Sequence, residues 1–402
     1  MSAQIHDALV IGGGPAGAAT ALLLAKAGWS VVLLERKTFP RKKVCGEYLS
    51  ATNLPLLDRL GVGAPFREQA GPPVRKVGLF AGKTIVHADL PRPAGLSPEW
   101  GRALSRERLD TLLLDRAGQA GADIRQPWKA RSIAKDGNLF HCGAEAVSGG
   151  VTELLTARVV VAAHGSWDPG TLITQPPRRP AAPSDLLGFK AHFQRSTLAE
   201  DLMPLLAFPG GYGGMVHCEK GRVSLSCCLR RDHLSLLRQT CRNAAGDAVL
   251  AHIQENCQGA RQVLTGACRE GAWLAAGPLR PGIRRAGDHG IFLVGNAAGE
   301  AHPVIAEGIS IALQSAWLLC GHLVAWKGQR GGAPDLARLA QAYAADWRRH
   351  FAGRLYLSQL IAHWAMRPAA VACTLPLVRS FPRALTWFAR LSGKVHGVVH
   401  NG

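Results

Sequence analysis

The chain has 402 residues, of which 47% are apolar and 19% charged, and its net charge is +19. Such a length predicts two domains plus an appendage, and such a composition excludes a disordered chain. The positive field favours anionic partners, yet the arginines are mostly scattered and no helix-turn-helix, finger or aromatic–basic signature accompanies them, so nucleic acid is not expected.

Taken in chain order, residues 7–12 (DALVIG) are a short apolar run closed by glycine, the pattern of a buried strand. Pro15 to Gly28 is rich in Ala and Leu and stops on glycine, which predicts a helix. Residues 30–35 (SVVLLE) read as a second buried strand, completing a βαβ unit. Residues 71–100 are rich in Pro and Gly, with a hairpin expected at Gly82-Lys83. Residues 103–121 predict an amphipathic helix showing Leu109, Leu112 and Leu113 on one face. Residues 154–163 hold another buried strand, and the proline-rich 167–184 reads as a crossover linker. From 188 to 230 the pattern alternates like sheet. GFKAHFQR comes first, then LLAFPGGYGGMVHC as a single glycine-rich strand, then RVSLSCCLR after a turn at Glu219-Lys220-Gly221. Residues 291–295 (IFLVG) are a strand, followed by a loop and a helix from about 307 to 326. Residues 335–402 look helical and carry nine Lys/Arg against Asp335 and Asp346, with Trp347, Trp364, Trp387 and Phe388 interleaved. No run reaches about 18 clean apolar residues, so no membrane-spanning helix is expected.

These elements predict an α/β chain in which a Rossmann-like dinucleotide-binding domain (1–70, 101–170 and 281–330) is interleaved with an antiparallel-sheet substrate domain (71–100 and 171–280). A helical C-terminal region, 331–402, follows. The ten cysteines show no CxxC pair and no metal spacing. They read as free thiols of a reducing, cytoplasmic protein, and no metal is expected.

Gly12-x-Gly14-x-x-Gly17 lies between the first strand and its helix. Gly12 permits the tight turn, Gly14 lets a pyrophosphate approach the backbone, and Gly17 allows the helix to touch the strand. Pro15 and Ala16 fill the helix N-terminus, where unpaired N–H groups favour phosphate. Glu35 ends the next strand, 18 residues after Gly17, and Arg36 follows it. A carboxylate there can accept ribose hydroxyls, so the unit is expected to hold a dinucleotide.

The block IFLVGNAAGEAHPVIAEGIS, residues 291–310, narrows this expectation. Together with the glycine fingerprint, the stretch RKKVCGEYLS (41–50) and the helix carrying Arg106, it resembles one flavoprotein family. That family holds the para-hydroxybenzoate hydroxylase-like monooxygenases and the geranylgeranyl-reductase-like enzymes. The resemblance implies FAD, and because no His or Cys sits where attachment is forced, its binding is expected to be non-covalent. It implies that Gly295 and Asn296 contact the ribityl chain and that Gly308 and Ile309 open a helix facing the flavin. It also places Cys45, Gly46 and Arg106 beside the cofactor. Two departures stand out. The family's late Asp is Asn296, and the mid-chain Asp-Gly pair of the hydroxylases is His164-Gly165, which puts direct reduction by NAD(P)H in question.

Lys43-Val44-Cys45-Gly46 matches the KxCG stretch that lies next to the flavin in the reductase-like branch. Cys45 is therefore a catalytic candidate, against the simpler reading of a packed thiol. His302 is a candidate acid or base, against a loop histidine bonded to backbone. Tyr212, Met215 and Pro303 are expected to line the substrate site, and His192 and His217 to be structural or substrate-lining. The WxWxIP halogenase signature is absent.

The resemblance implies an FAD-dependent oxidoreductase. The first expectation is a monooxygenase hydroxylating a hydrophobic aromatic, polyketide or phenolic-lipid substrate in secondary metabolism, chosen because that branch is the most populated. The alternatives are a reductase saturating isoprenoid-type double bonds and a maturation factor acting on a protein or carrier-bound partner. NAD(P)H or a separate reductase would feed the flavin. The basic C-terminal helices either close the cavity or form a peripheral contact with a membrane or carrier protein.

Overall fold

The computed structural model describes residues 4–92, 99–166, 170, 172–175, 177, 179–240, 244–284, 286–288, 290–328 and 336–394. β1 (Ile5–Ile11) runs into α1 (Pro15–Lys26) and back to β2 (Val31–Leu34). Pro15 occupies the first helical turn, where a missing N–H leaves no bond broken. Next come β3 (Tyr48–Leu49), α2 (Leu54–Leu60), α3 (Gly63–Gln69) and the hairpin of β4 (Lys76–Ala81) and β5 (Thr84–Asp89). β6 (Arg102–Ala103) leads to α4 (Arg106–Gln119), β7 (Asp123–Arg125), β8 (Trp128–Asp136), β9 (Leu139–Ala146) and β10 (Thr152–Ala162). The chain continues through β11 (Leu186–Gln194), β12 (Leu202–Phe208), β13 (Gly211–His217) and β14 (Val223–Arg230). Three helices, α5 (Arg231–Thr240), α6 (Ala245–Asn256) and α7 (Gln258–Leu264), precede the long β15 (Cys268–Leu279). Short strands β16 (Gly282–Ile283), β17 (Gly287–Asp288), β18 (Ile291–Leu293) and β19 (Gly299–Glu300) then reach α8 (Gly308–Gly328). The described chain closes with α9 (Leu336–Ala365), α10 (Pro368–Ser380), α11 (Arg383–Ala389) and a last turn to Lys394.

Two large sheets result, in a mixed α/β fold. In the first, β18, β10, β1, β2 and β7 run parallel in that order, with the β8–β9 hairpin beside β10. Central parallel strands are buried on both faces, which explains why β1 and β2 read as nearly continuous apolar runs. Ala8, Val10, Val31 and Leu33 join a core that includes Leu22, Leu113, Leu313 and Trp347. Leu9, Ile11, Val32 and Leu34 pack on the other face with Phe140 and Cys142 of the hairpin. In the second sheet the order is β15-β11-β14-β13-β12-β4-β5, antiparallel except for β12 with β4. Phe189, Phe193, Leu206 and Leu225 of this sheet pack with Val249 and Ile253 of α6 and Ala260 and Leu264 of α7.

Three features differ from the sequence reading. The stretch 205–218 is not one strand: it folds at Pro209-Gly210 into the β12–β13 hairpin, with Gly210 at φ +71, a left-handed turn position. Residues 231–264 and 268–279 add three helices and an edge strand that the sequence reading left unassigned, although 231–240 is amphipathic at helical spacing. The segment Gly308–Lys327 reaches a mean hydropathy of 1.5 and is long enough to cross a membrane, which corrects the expectation that none would be. Its burial has another source here: Ile311, Leu313, Leu319 and Leu323 are covered by α1 and α9 within the first core.

Candidate functional site

The first cleft opens at the carboxyl ends of β1, β2, β10 and β18, the usual ligand position of an open α/β sheet. Its volume is about 430 Å³. Gly12 adopts φ +106, and a Cβ there would lie 2.6 Å from the Ala163 carbonyl oxygen. A Cβ on Gly17 would lie 1.8 Å from the Gly12 carbonyl oxygen. Both positions therefore require glycine so that helix, turn and strand can close on one another. Gly14 caps α1 without a side-chain bond, leaving first-turn N–H groups directed to the cleft.

Glu35 ends β2 and is buried. Its carboxylate accepts the Gly13 N–H at 2.8 Å and the Lys37 N–H at 2.9 Å, which fixes it beside the glycine turn. Arg36, Lys37, Arg41, Lys42, Lys43 and Arg106 all line the same cleft. Arg106 grips Asp110 with two bonds of 2.7 Å, and Arg41 stands 3.7 Å from the same carboxylate. The Arg41 Nε is buried without a hydrogen-bond partner. Burial, then repulsion from Arg106 and Arg41, pulls the Lys43 pKa down to about 8. A cleft lined by several cations, with the Arg41 Nε–H unpaired and an open helix N-terminus, fits the pyrophosphate of a dinucleotide.

At the far end lie Gly295, Asn296, Gly308 and Ile309. The Gly295 N–H donates to Ser315 Oγ at 2.9 Å, and Asn296 Nδ2 donates to Glu300 Oε1 at 3.3 Å. The amide is thus oriented by an acid four residues on. A Cβ on Gly308 would meet nothing within 4 Å, so α8 presents its N-terminus to open space. Thirteen of the fourteen predicted cofactor positions, Gly12, Gly14, Pro15, Ala16, Glu35, Arg36, Cys45, Gly46, Arg106, Gly295, Asn296, Gly308 and Ile309, wall this one cleft. The fourteenth, Gly17, sits behind them against Gly12. His164 also faces the cleft, its Nδ1 2.9 Å from the Gly165 carbonyl oxygen and its Nε2 3.1 Å from Thr174 Oγ1.

A second cavity of about 500 Å³ adjoins the first, sharing Val44, Cys45, Gly46, Tyr48, Pro303 and Ala306 with it. Leu79, Met203, Tyr212, Met215 and Cys227 come from the second sheet. Leu357, Leu360, Trp364, Leu377, Val378, Leu385 and Phe388 come from α9, α10 and α11. None of the described residues in its wall is charged. Tyr212, Met215 and Pro303, expected to line a substrate site, lie in its wall, and the C-terminal helices close it, the first of the two roles expected for them.

His302 lies outside the walls of both cavities. Its Nδ1 shares a 3.1 Å hydrogen bond with the Tyr212 hydroxyl, and its backbone N–H donates to Ser358 Oγ at 3.0 Å. Burial, aided by His363, pushes its pKa down to about 4. At neutral pH it is an uncharged ring whose contact with the cavity runs through Tyr212. His217 donates to the Leu198 carbonyl oxygen at 2.8 Å and braces a loop.

Cys45 faces both cavities. The Glu47 N–H points at its sulfur from 3.4 Å, and the Arg106 guanidinium hydrogen-bonds the same atom. Glu47 holds a left-handed backbone (φ +67) and is almost fully buried. Its carboxylate pairs with Lys190, accepts His192 Nε2 at 2.8 Å and accepts the Arg106 N–H at 3.1 Å. Burial pushes the Glu47 carboxyl up, but Lys190 and then His192 outweigh it and hold the pKa near about 2. Glu47, His192 and Cys218 offer donor atoms within 4.8 Å of one another, yet the Lys190 ammonium already occupies this carboxylate. Glu47 and Lys190 were missed in the sequence. The available signal was two basic residues alternating with Phe189, Ala191 and Phe193 in a strand whose other face is core.

Residues 6–171 match the family described as FAD binding domain. The chain is an FAD-dependent oxidoreductase. Menaquinone reductase of Mycolicibacterium smegmatis is 25% identical over 408 residues, covering 97% of this chain and 91% of that protein. Digeranylgeranylglycerophospholipid reductase 2 of Methanopyrus kandleri is 26% identical over 363 residues, covering 86% and 83%. The myxobacterial chondrochloren halogenase CndH shares the fold, with a TM-score of 0.78 at 20% identity over 96% of this chain and 91% of that one. The resemblance to the hydroxylase-like and geranylgeranyl-reductase-like flavoproteins is borne out. The matched FAD-binding domain carries the 11–16, 34–47 and 163–166 walls of the first cleft, and residues 294–312 complete it from outside the matched segment.

Proposed function

We propose that this FAD-dependent oxidoreductase reduces a carbon–carbon double bond of a long isoprenoid-type lipid. The observation that carries the reading is the position of Cys45. Its thiol stands where a cofactor cleft meets a cavity with no charged wall residue among those described. When bound and reduced, FAD supplies a hydride to one carbon of the double bond. The neighbouring carbon must then gain a proton. Cys45 and Tyr48 are the titratable side chains shared by both cavities. Burial, then the charge of Glu307, raises the Tyr48 pKa, so its hydroxyl keeps its proton. In this reading Cys45 supplies the proton, and the Glu47 N–H and the Arg106 guanidinium then face its sulfur. The apolar chamber binds a chain by burial, at about 25 cal/mol for each Å² of apolar surface. Two reductases aligned over most of their length, named for menaquinone and digeranylgeranylglycerophospholipid, support the same reading.

A second reading is hydroxylation of a phenolic lipid or polyketide. What favours it is Ser226, whose hydroxyl faces Gly46 at the head of the cavity, near the Tyr48 wall. The Ser226 hydroxyl can hold a phenol or ring carbonyl beside Gly46.

The test starts from the FAD-loaded protein reduced anaerobically, by NADPH or NADH if either bleaches it and by dithionite otherwise. Menaquinone or a geranylgeranyl lipid is then added. Reoxidation of the flavin without oxygen, with a product heavier by two hydrogens, is expected. A product heavier by one oxygen atom, formed only in air, would establish hydroxylation and overturn reduction.

A further inference from the structure

We infer that the end of the molecule formed by α10, α11 and the last turns of α9 docks on an anionic lipid bilayer, and that the apolar cavity opens into the membrane there. Large apolar side chains are exposed together at this end: Leu360 is 70% exposed, Phe381 64%, Leu377 61%, Trp387 57% and Phe388 41%. Contiguous exposed patches of this kind mark interaction surfaces. Leu360, Leu377 and Phe388 belong to the cavity wall as well, so the patch is the rim of the cavity. The helices are held on the second sheet from the inside. Thr386 Oγ1 donates to the Asp89 carbonyl oxygen at 2.6 Å, and the Trp364 indole N–H donates to Thr374 Oγ1 at 2.8 Å. The aromatic side chains of Phe381 and Trp387 therefore point away from a fixed support.

Charge selects the occupant. Arg367, Arg379, Arg383 and Arg390 are exposed around the patch, and residues 347–402 contain no Asp or Glu. An apolar, Trp-bearing centre flanked by four arginines, with Asp89 of β5 as an acidic neighbour beside Thr386, matches the interface of an anionic membrane, where aromatic rings sit at headgroup depth and cations meet phosphate. The docking rests on the surface alone. That substrate enters through it rests on the lipid-reductase reading above.

The experiment is flotation of the full-length, FAD-loaded protein with two vesicles, pure phosphatidylcholine and phosphatidylcholine with about one-third phosphatidylglycerol. Binding to the second at low salt, weakened by high salt, is expected. Arg379→Glu with Arg383→Glu should weaken it about tenfold or more, and Phe381→Ser with Trp387→Ser should weaken it comparably. Flavin absorbance and circular dichroism show that each variant is folded. Absence of flotation with the anionic vesicles, or flotation of both folded variants like the parent, overturns the proposal. The latter result, with capture by an acidic carrier protein instead, would assign the patch to a protein partner. The readout needs no turnover, so failure of docking and failure of the reductase reading are told apart by activity on detergent-dispersed lipid.

Discussion

The two adjoining cavities are built in opposite ways. The cofactor cleft is basic, more polar than its neighbour, and made chiefly by short contiguous motifs: 11–16, 34–47, 163–166 and 294–312 supply most of its wall. The apolar cavity has no charged wall residue among those described and is assembled from strands and helices scattered from Val44 to Ser392. One binds charge with backbone and cations at set positions, and the other binds shape by burial. Cys45-Gly46-Glu47 is the hinge of the comparison, because it belongs to the cleft by sequence and is anchored to the second sheet by Lys190 and His192.

The largest effect is expected at that anchor. Lys190→Met leaves the Glu47 carboxylate buried without its main cation and should cost about 3–5 kcal/mol in urea unfolding. Pairing it with Glu47→Gln should restore much of that. The acid limb follows from the same pair. Glu47 titrates near about 2 in the folded state, below its ordinary value of 4.5. Its contribution is complete above that ordinary value and is lost as pH falls through the folded one. Parent and Glu47→Gln should therefore converge in stability toward pH 2, and a constant gap would remove the anchor from the account.

Gly17→Ala tests the cleft. Its Cβ meets backbone rather than a flexible side chain, so a loss of about 3 kcal/mol and of bound FAD is expected. Retention of yellow protein at parental stability would show that α1 can shift. Cys45→Ala should lower turnover about a hundredfold while leaving the FAD content unchanged. A matching loss of FAD would make Cys45 part of the cleft only.

Lys43 gives a milder, pH-dependent signature. In the absence of an anion its pKa is about 8, against an ordinary 10.5. The unfolded chain then holds more protons between these values, so the FAD-free protein should gain stability as pH rises from 8 to 10.5. Pyrophosphate reverses the effect by favouring the charged ammonium. FAD affinity should fall as pH rises above 8, by up to about tenfold per unit, and Lys43→Met should flatten the titration. The smallest effect is expected from Tyr212→Phe, which removes one hydrogen bond to His302 and should cost about 1 kcal/mol. A loss of turnover as large as that of Cys45→Ala would give His302 and Tyr212 a direct part in the reaction.

Much of the cleft was legible because its demands are local. Gly12 needs a left-handed φ, Gly17 needs to lack a Cβ, and Glu35 must end a strand, all within 24 residues of one another. The block 291–310 has the same character: strand, tight turn, open helix N-terminus. The turn at Pro209-Gly210 was misread because glycines at 210, 211, 213 and 214 serve both a hairpin and a close approach, and periodicity does not separate the two.

By itself, then, the sequence determined a dinucleotide cleft, because backbone conformation and glycine spacing are encoded by neighbours along the chain; FAD as its ligand and the place of the loop that carries Cys45 came from the family resemblance. Only the tertiary structure decided what faces that loop. Glu47 meets Lys190 across 143 positions, and α9, α10 and α11 return to close the apolar cavity. Such contacts follow from burial, which is non-directional, so the apolar pattern of a helix shows that it must be covered and leaves its partner to the fold.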